Sequence, residues 1–173
     1  MLLLEIMKTL EILSKNPKDT ENIAKTFLKE IVSKKGKEAS SLSGASVVGL
    51  YGNLGAGKTT FTQSFSKILG VKRKVNSPTF VIMKRYSLGK NSKTRWTNLF
   101  HIDAYRLKNE KELLNLGWEE IISNPDNLVF IEWPENIAKA MPKKHFKIKI
   151  SHLARSSDKT DSKEEFRKFK INF

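Results

Sequence analysis

The sequence predicts an α/β domain, with a mixed central β-sheet flanked by helices, in a single unit over residues 1–173. Three observations carry this. Short apolar runs, SVVGLY at 46–51 and NLVFIEW at 127–133, have strand length and composition. Helix-period segments stand between them. Two alternating segments, HFKIKISHL at 145–153 and FRKFKINF at 166–173, read as half-exposed strands. A chain of 173 residues with 39% hydrophobic side chains suits one domain with its own core.

The elements follow in order. LEIL (10–13) is a short edge strand. The period then changes, and Asp19 or Thr20 is expected to cap a helix that carries Ile23, Phe27, Leu28 and Ile31 on one face. Residues 34–46 read as a polar loop. The strand 46–51 leads into a glycine-rich turn. Residues 59–69 then form a helix with Phe61, Phe65, Ile68 and Leu69 inward, stopped by Gly70. Thr79–Tyr86 resembles a strand, because Pro78 restricts Ser77 to extended geometry. GKNSKTRW (89–96) reads as a basic hairpin tip, and NLFHIDAYRL (98–107) as the returning strand. NEKELLNLGWEEII gives two short helices split at Gly117. PENIAKAM makes a helical turn after the strand 127–133, and a polar loop joins the last two strands.

Composition narrows the chemistry. Cysteine is absent, which excludes a disulfide framework, a thiolate metal site and a cysteine nucleophile, and fits a reducing compartment. The start, MLLLEIMKTLEIL, has Glu5 after three leucines and no basic segment before it, whereas a secretory core needs about 7–15 apolar residues. No stretch approaches the roughly 18 apolar residues that span a membrane. The expectation is a cytoplasmic protein. The net charge of +14 is uneven: residues 72–111 carry 11 Lys/Arg against 2 acids and 143–173 carry 10 against 4, while 112–142 carry one Lys against 6 acids. Basic stretches favour polyanions such as RNA, an acidic partner or a nucleotide. Solvated faces explain much of this charge equally well, because the lysines mostly alternate with apolar residues.

The turn reads YGNLGAGKTTF, a G-x-x-x-x-G-K-T pattern with Gly52, Gly57, Lys58 and Thr59 in place. A strand before it and a helix after it make it a P-loop, so the domain is expected to be NTPase-like. Glycines let successive backbone N–H groups curl toward phosphate oxygens, and the helix adds its positive end. Lys58 suits the β- and γ-phosphates, and the Thr59 hydroxyl suits Mg²⁺. Such a metal usually takes an acid from a nearby strand end. Asp103 in LFHIDAYRL and Glu132 in LVFIEWPE both stand at such ends, where ligands meet α/β sheets. Spacing alone does not say which holds the metal and which orients water. Thr79 in NSPTF is a candidate γ-phosphate sensor. Trp133 is placed either beside the nucleotide or in the core. His101, alternating with apolar neighbours, reads as structural. Arg106 suits either phosphate charge or an acid in 112–120.

The ordered set GNLGAGKTTF, VNSPTF, FHIDAYRL, ELLNLGWEE and VFIEWPE resembles the TsaE (YjeE) family, over roughly residues 10–153. These are small ATPases of tRNA threonylcarbamoyladenosine biosynthesis. The resemblance implies Mg-dependent ATP binding and hydrolysis in the cytoplasm. It implies action on the TsaB–TsaD pair, which carries out the threonylcarbamoyl transfer, with tRNA reached only through that complex. By match, Gly52, Asn53, Leu54, Gly55, Ala56, Gly57, Lys58, Thr59 and Thr60 line the nucleotide, with Thr79, Trp133 and Arg155 bordering it. Lys58, Asp103 and Glu132 carry the catalysis, and Thr59, Glu132 and Asp103 are the metal-side groups. The chain departs from the family in an extra start at residues 1–9, in a longer and more basic 89–96 tip, and in the polar 154–165 loop, which puts the Arg155 match in doubt. The implied chemistry is in-line attack of water on the γ-phosphate, slow until a partner completes the site. The rivals are a small-molecule kinase, for which no arginine-rich lid is visible; a GTP switch, for which the N-K-x-D motif is absent; and an RNA-binding accessory protein, which would leave the loop unexplained.

Overall fold

The computed structural model describes residues 9–38, 44–78, 81–89, 94–153 and 166–173. Seven strands form one sheet: β1 (Thr9–Ser14), β2 (Ser46–Tyr51), β3 (Met83–Ser87), β4 (Asn98–Asp103), β5 (Asn127–Glu132), β6 (Phe146–Leu153) and β7 (Phe166–Asn172). Their order across the sheet is β1-β7-β6-β2-β5-β4-β3. β2 runs parallel to both β5 and β6, and β4 parallel to β5. The outer pairs β3–β4, β6–β7 and β1–β7 are antiparallel. The sheet is therefore mixed, as expected, and LEIL lies at its edge.

The helices cover both faces. α1 (Pro17–Glu38) and α2 (Lys58–Ile68) lie on one face. Their apolar stripes bury Ile23, Ala24, Phe27, Ile31, Phe61 and Phe65 against Val48, Leu50, Leu128 and Phe130. Phe27 sits at the centre of this layer, with its ring 5.7–6.1 Å from those of Phe61, Phe65, Phe146 and Phe173. Truncating such a side chain to alanine typically costs about 3–5 kcal/mol. α3 (Glu110–Leu114) and α4 (Trp118–Ser123) lie on the other face, with 3-10 turns at Ala104–Arg106 and Pro134–Ile137. Leu113, Trp118, Ile121 and Ile137 pack there on Val47, Phe100, Ile102, Val129 and Ile131. Gly117, at φ 78°, separates α3 from α4 as the sequence indicated.

Several elements differ from expectation. α1 begins at Pro17, so neither Asp19 nor Thr20 is its cap. Asn16 Oδ1 accepts the Asp19 N–H at 3.0 Å, and Asp19 Oδ2 accepts the Lys15 N–H at 2.9 Å. This is the reciprocal logic of a capping box, with proline in the first helical position. The backbone stays helical through residues 34–38, where a loop was expected, because nothing in KKGKE forbids continuation and Gly36 only weakens it. β3 begins at Met83 rather than Thr79, since Ile82 takes φ 62° and breaks the extended run. β4 ends at Asp103, whose side chain accepts the Tyr105 N–H and starts a 3-10 turn. Trp96 belongs to the core rather than to a hairpin tip: it is buried and donates to Ser46 Oγ at 2.7 Å. Residues 1–8 of the extra start, 90–93 of the tip and the 154–165 loop lie outside the described residues. No helix among the described residues is long and apolar enough to cross a membrane.

Candidate nucleotide site

β2 is the middle strand of the seven, and the glycine-rich loop leaves from its C-terminal end. Sequence dictates the loop's shape. Gly52 has φ 141°, and a Cβ there would fall on the carbonyl oxygen of Ile150 in β6. Gly57 has φ 104° and precedes α2 with no side-chain cap, so the first N–H groups of the helix are left for an anion. Lys58 is buried, and its Nζ donates to Gly52 O at 2.6 Å and Asn53 O at 2.9 Å. It also lies 3.8 Å from the centre of the Trp133 ring. Burial pulls the Lys58 pKa down, while the charges of Glu132, Glu135 and Asp103 oppose that shift. A cation held out of water in this way gains from an incoming polyanion.

The two carboxylates meet beside the loop. In β4 and β5, Leu99, Leu128 and Phe130 pack on the α1–α2 face. The alternation of a strand sends His101, Asp103 and Glu132 to that same face. The parallel register sets Asp103 opposite Glu132, and Glu132 opposite Leu50 of β2. Both acids are buried. Thr59 Oγ1 donates to Glu132 Oε1 at 2.8 Å, and His101 Nε2 lies 2.8 Å from the same oxygen. Asp103 accepts from Ser77 Oγ at 3.0 Å and from the Tyr105 N–H at 3.1 Å. Among the described residues no three His, Cys, Asp or Glu side chains form a metal cage. One hydroxyl and two carboxylates fit Mg²⁺ nonetheless, since that ion keeps most of its water and phosphate ligands.

Backbone strain marks the same place. Among the described residues, two non-glycine residues have positive φ, Ile82 at 62° and Trp133 at 59°. Trp133 directly follows Glu132, and the Ile82 carbonyl accepts the Asp103 N–H at 2.9 Å. Such residues cost about 1–3 kcal/mol each and cluster at functional sites.

A family model described as threonylcarbamoyl adenosine biosynthesis protein TsaE matches residues 14–160. The chain belongs to the TsaE family. The tRNA threonylcarbamoyladenosine biosynthesis protein TsaE of Bacillus subtilis is 38% identical over 144 residues, covering 83% of this chain and 78% of that one. The protein of the same name from Rickettsia prowazekii is 37% identical over 121 residues, 69% of this chain and 71% of that one. The crystal structure of Bacillus subtilis YdiB superposes with a TM-score of 0.64 at 27% identity, covering 97% of this chain and 87% of that chain.

In this TsaE chain the residues singled out by sequence largely converge. Gly52 to Thr60 form the loop and the start of α2, with Leu54 exposed at the tip. Lys58, Thr59, Glu132 and Trp133 meet, and Asp103 lies on the adjoining strand. Thr79 and Arg155 lie outside the described residues. Four contributors were not singled out for this role. His101 reaches Glu132, Ser77 reaches Asp103, and Glu135 acts on Lys58. Arg167, at the start of β7, places its Cδ and Nε 3.2 Å from where a Cβ on Gly57 would sit. The alternation of FRKFKINF puts Arg167 on the same face as the buried Phe169 and Ile171, which is the signal that would have found it.

Proposed function

We propose that this TsaE-family chain binds Mg·ATP at the glycine-rich loop and hydrolyses it in support of tRNA threonylcarbamoyladenosine formation, acting on a TsaB–TsaD pair. The observation that carries the reading is the 2.8 Å contact between Thr59 and the buried Glu132 directly beside the loop lysine. A hydroxyl and a carboxylate so paired are the protein's share of a triphosphate-bound magnesium site. The names of the relatives from Bacillus subtilis and Rickettsia prowazekii support the pathway.

The residues divide the work as follows. Loop N–H groups and the start of α2 receive the phosphates, and Lys58 exchanges its carbonyl partners for phosphate oxygens. Arg167 flanks the loop at Gly57 and adds positive charge. Mg²⁺, when bound at Thr59 and Glu132, supplies charge neutralisation as negative charge builds on the phosphate oxygens. Asp103, held by Ser77 and the Tyr105 N–H, orients the attacking water. Water adds to the γ-phosphorus, the bond to the β–γ bridging oxygen breaks, and ADP leaves with inorganic phosphate. Trp133, whose ring lies 5.1 Å from that of Tyr105 at a 50° tilt and beside Lys58, forms one wall.

The test is ATP hydrolysis with and without the TsaB–TsaD pair from the same source, for wild type and Glu132→Ala. Stimulation by the pair, lost by about 10²-fold or more in the variant, is expected. Hydrolysis at several per second by the protein alone would contradict partner dependence. No stimulation, with wild type and variant alike, would leave nucleotide binding alone. Exposed Lys72, Arg73, Lys74, Arg85 and Arg95 favour a second reading, an RNA-binding accessory role. Salt-sensitive binding of tRNA, undiminished by Lys58→Ala, would support it.

A further inference from the structure

His101 is fully buried in β4, and its Nε2 lies 2.8 Å from Glu132 Oε1. Its other ring nitrogen, Nδ1, is buried with no hydrogen-bond partner among the described residues. Core stability does not explain such a residue. The alternate positions along β4 and β5 on this face hold Leu99, Leu128 and Phe130, and an apolar side chain at 101 would avoid burying an unsatisfied nitrogen. A carboxylate oxygen only accepts, so Nε2 is the donor, and the buried, unpartnered Nδ1 fits the tautomer in which it carries no proton. The ring thus offers one hydrogen bond, and that bond goes to Glu132.

Glu132 Oε1 receives two donors, from Thr59 on α2 and from His101 on β4. The Thr59 hydroxyl has two duties, because it carries one donor for Glu132 and lone pairs for a metal. Among the described residues His101 has no second hydrogen-bond partner. We propose that His101 is a positioning residue: from the β4 side it fixes the Glu132 carboxylate at the loop, opposite the donor from Thr59, so that the metal side is pre-organised rather than assembled on binding. This rests on the Mg·ATP reading above. Partners of ligating carboxylates in other metal sites typically change metal affinity or activity by about 10–100-fold when removed.

The experiment is a Mg²⁺ titration of fluorescent ADP-analogue binding to the full chain, with thermal unfolding of each variant recorded alongside. Wild type must show Mg-dependent binding; if it shows none, the Mg·ATP reading itself fails before any variant is compared. His101→Met removes the donor and is expected to need about 10–100-fold more Mg²⁺ for half-saturation, with metal-free binding within twofold. His101→Gln, whose amide nitrogen reaches the Nε2 position, is expected to stay within about threefold of wild type. In a Glu132→Ala background the His101→Met change is expected to add nothing. If His101→Met fails to fold, His101→Asn, whose amide is too short to reach Glu132, takes its place. The proposal is overturned if the donor-less variant keeps the wild-type Mg²⁺ dependence while Glu132→Ala loses it. It is equally overturned if folded His101→Gln loses Mg²⁺ affinity as far as the donor-less variant, or if the effects of His101 and Glu132 add.

Discussion

Replacing Gly52 by alanine tests the geometry of the loop against an internal control. Gly70, which ends α2, also has positive φ, 81°, but a Cβ there meets nothing within 4 Å. Gly70→Ala therefore isolates the backbone term, about 1–2 kcal/mol for an L-residue in left-handed geometry. Gly52→Ala carries a comparable term at φ 141° and adds a collision with the Ile150 carbonyl. That oxygen belongs to β6, which pairs with β2 through Leu50–Ile148 and Tyr51–Lys149, so relief requires a shift of a central strand. Overpacking of this kind adds about 1–3 kcal/mol, for a total of about 2–5 kcal/mol. In a chain of this size each kcal/mol lowers Tm by about 2–4 °C. Thermal unfolding should then fall by about 2–8 °C for Gly70→Ala and by about 4–20 °C for Gly52→Ala. Binding of a fluorescent ADP analogue should stay within twofold for the first variant and be lost in the second, because Gly52 O is a Lys58 partner. Equal losses of Tm, or unimpaired binding by the Gly52 variant, would show that the Ile150 carbonyl does not constrain the loop.

Asp103→Asn keeps the shape of the side chain but lowers its acceptor strength. Hydrolysis should fall by about 10²-fold while Mg·ADP binding stays within a few-fold, the reverse of what Glu132→Ala does to metal dependence; equal losses in binding would place Asp103 on the metal. Trp96→Phe removes the bond to Ser46 Oγ at 2.7 Å and some buried volume, and should cost about 1–3 kcal/mol in chemical denaturation with hydrolysis unchanged. His145 is held neutral in the fold, first by burial and then by the charge of Lys147, with the Pro142 carbonyl opposing, so its pKa lies below 6.5. As pH falls below 6.5 the unfolded chain takes up this proton first, so stability falls with it until the folded pKa is reached. Tm measured from pH 8 to pH 5 should show this loss in wild type and a smaller one in His145→Gln; parallel curves would count against it.

Much of the candidate site was legible in the sequence, because its parts obey local rules. The spacing of Gly52, Gly57, Lys58 and Thr59 between an apolar run and a helical period specifies the loop, since each residue there acts through its own backbone or reach. Asp103 and Glu132 stood out because both close apolar runs. Strand alternation even fixes their shared face, given Leu99, Leu128 and Phe130. Element ends were less legible. KKGKE extends α1 despite Gly36, and Ile82 adopts a conformation that no propensity favours, held by the bond from the Met83 N–H to the Val81 carbonyl and by the bond to Asp103.

The sequence by itself determined the layered α/β plan, the loop and the two acids, all written in short-range periodicity. The strand order, which sets β4 beside β5 and β7 beside β6, depends on long-range pairing that no local window contains. That pairing decides that Thr59 and His101 converge on Glu132, that Ser77 reaches Asp103, and that Arg167 sits by Gly57. Hydrogen bonds between residues 31 to 73 positions apart, such as these on Glu132, are products of register, and register is settled only when the whole sheet closes over its core.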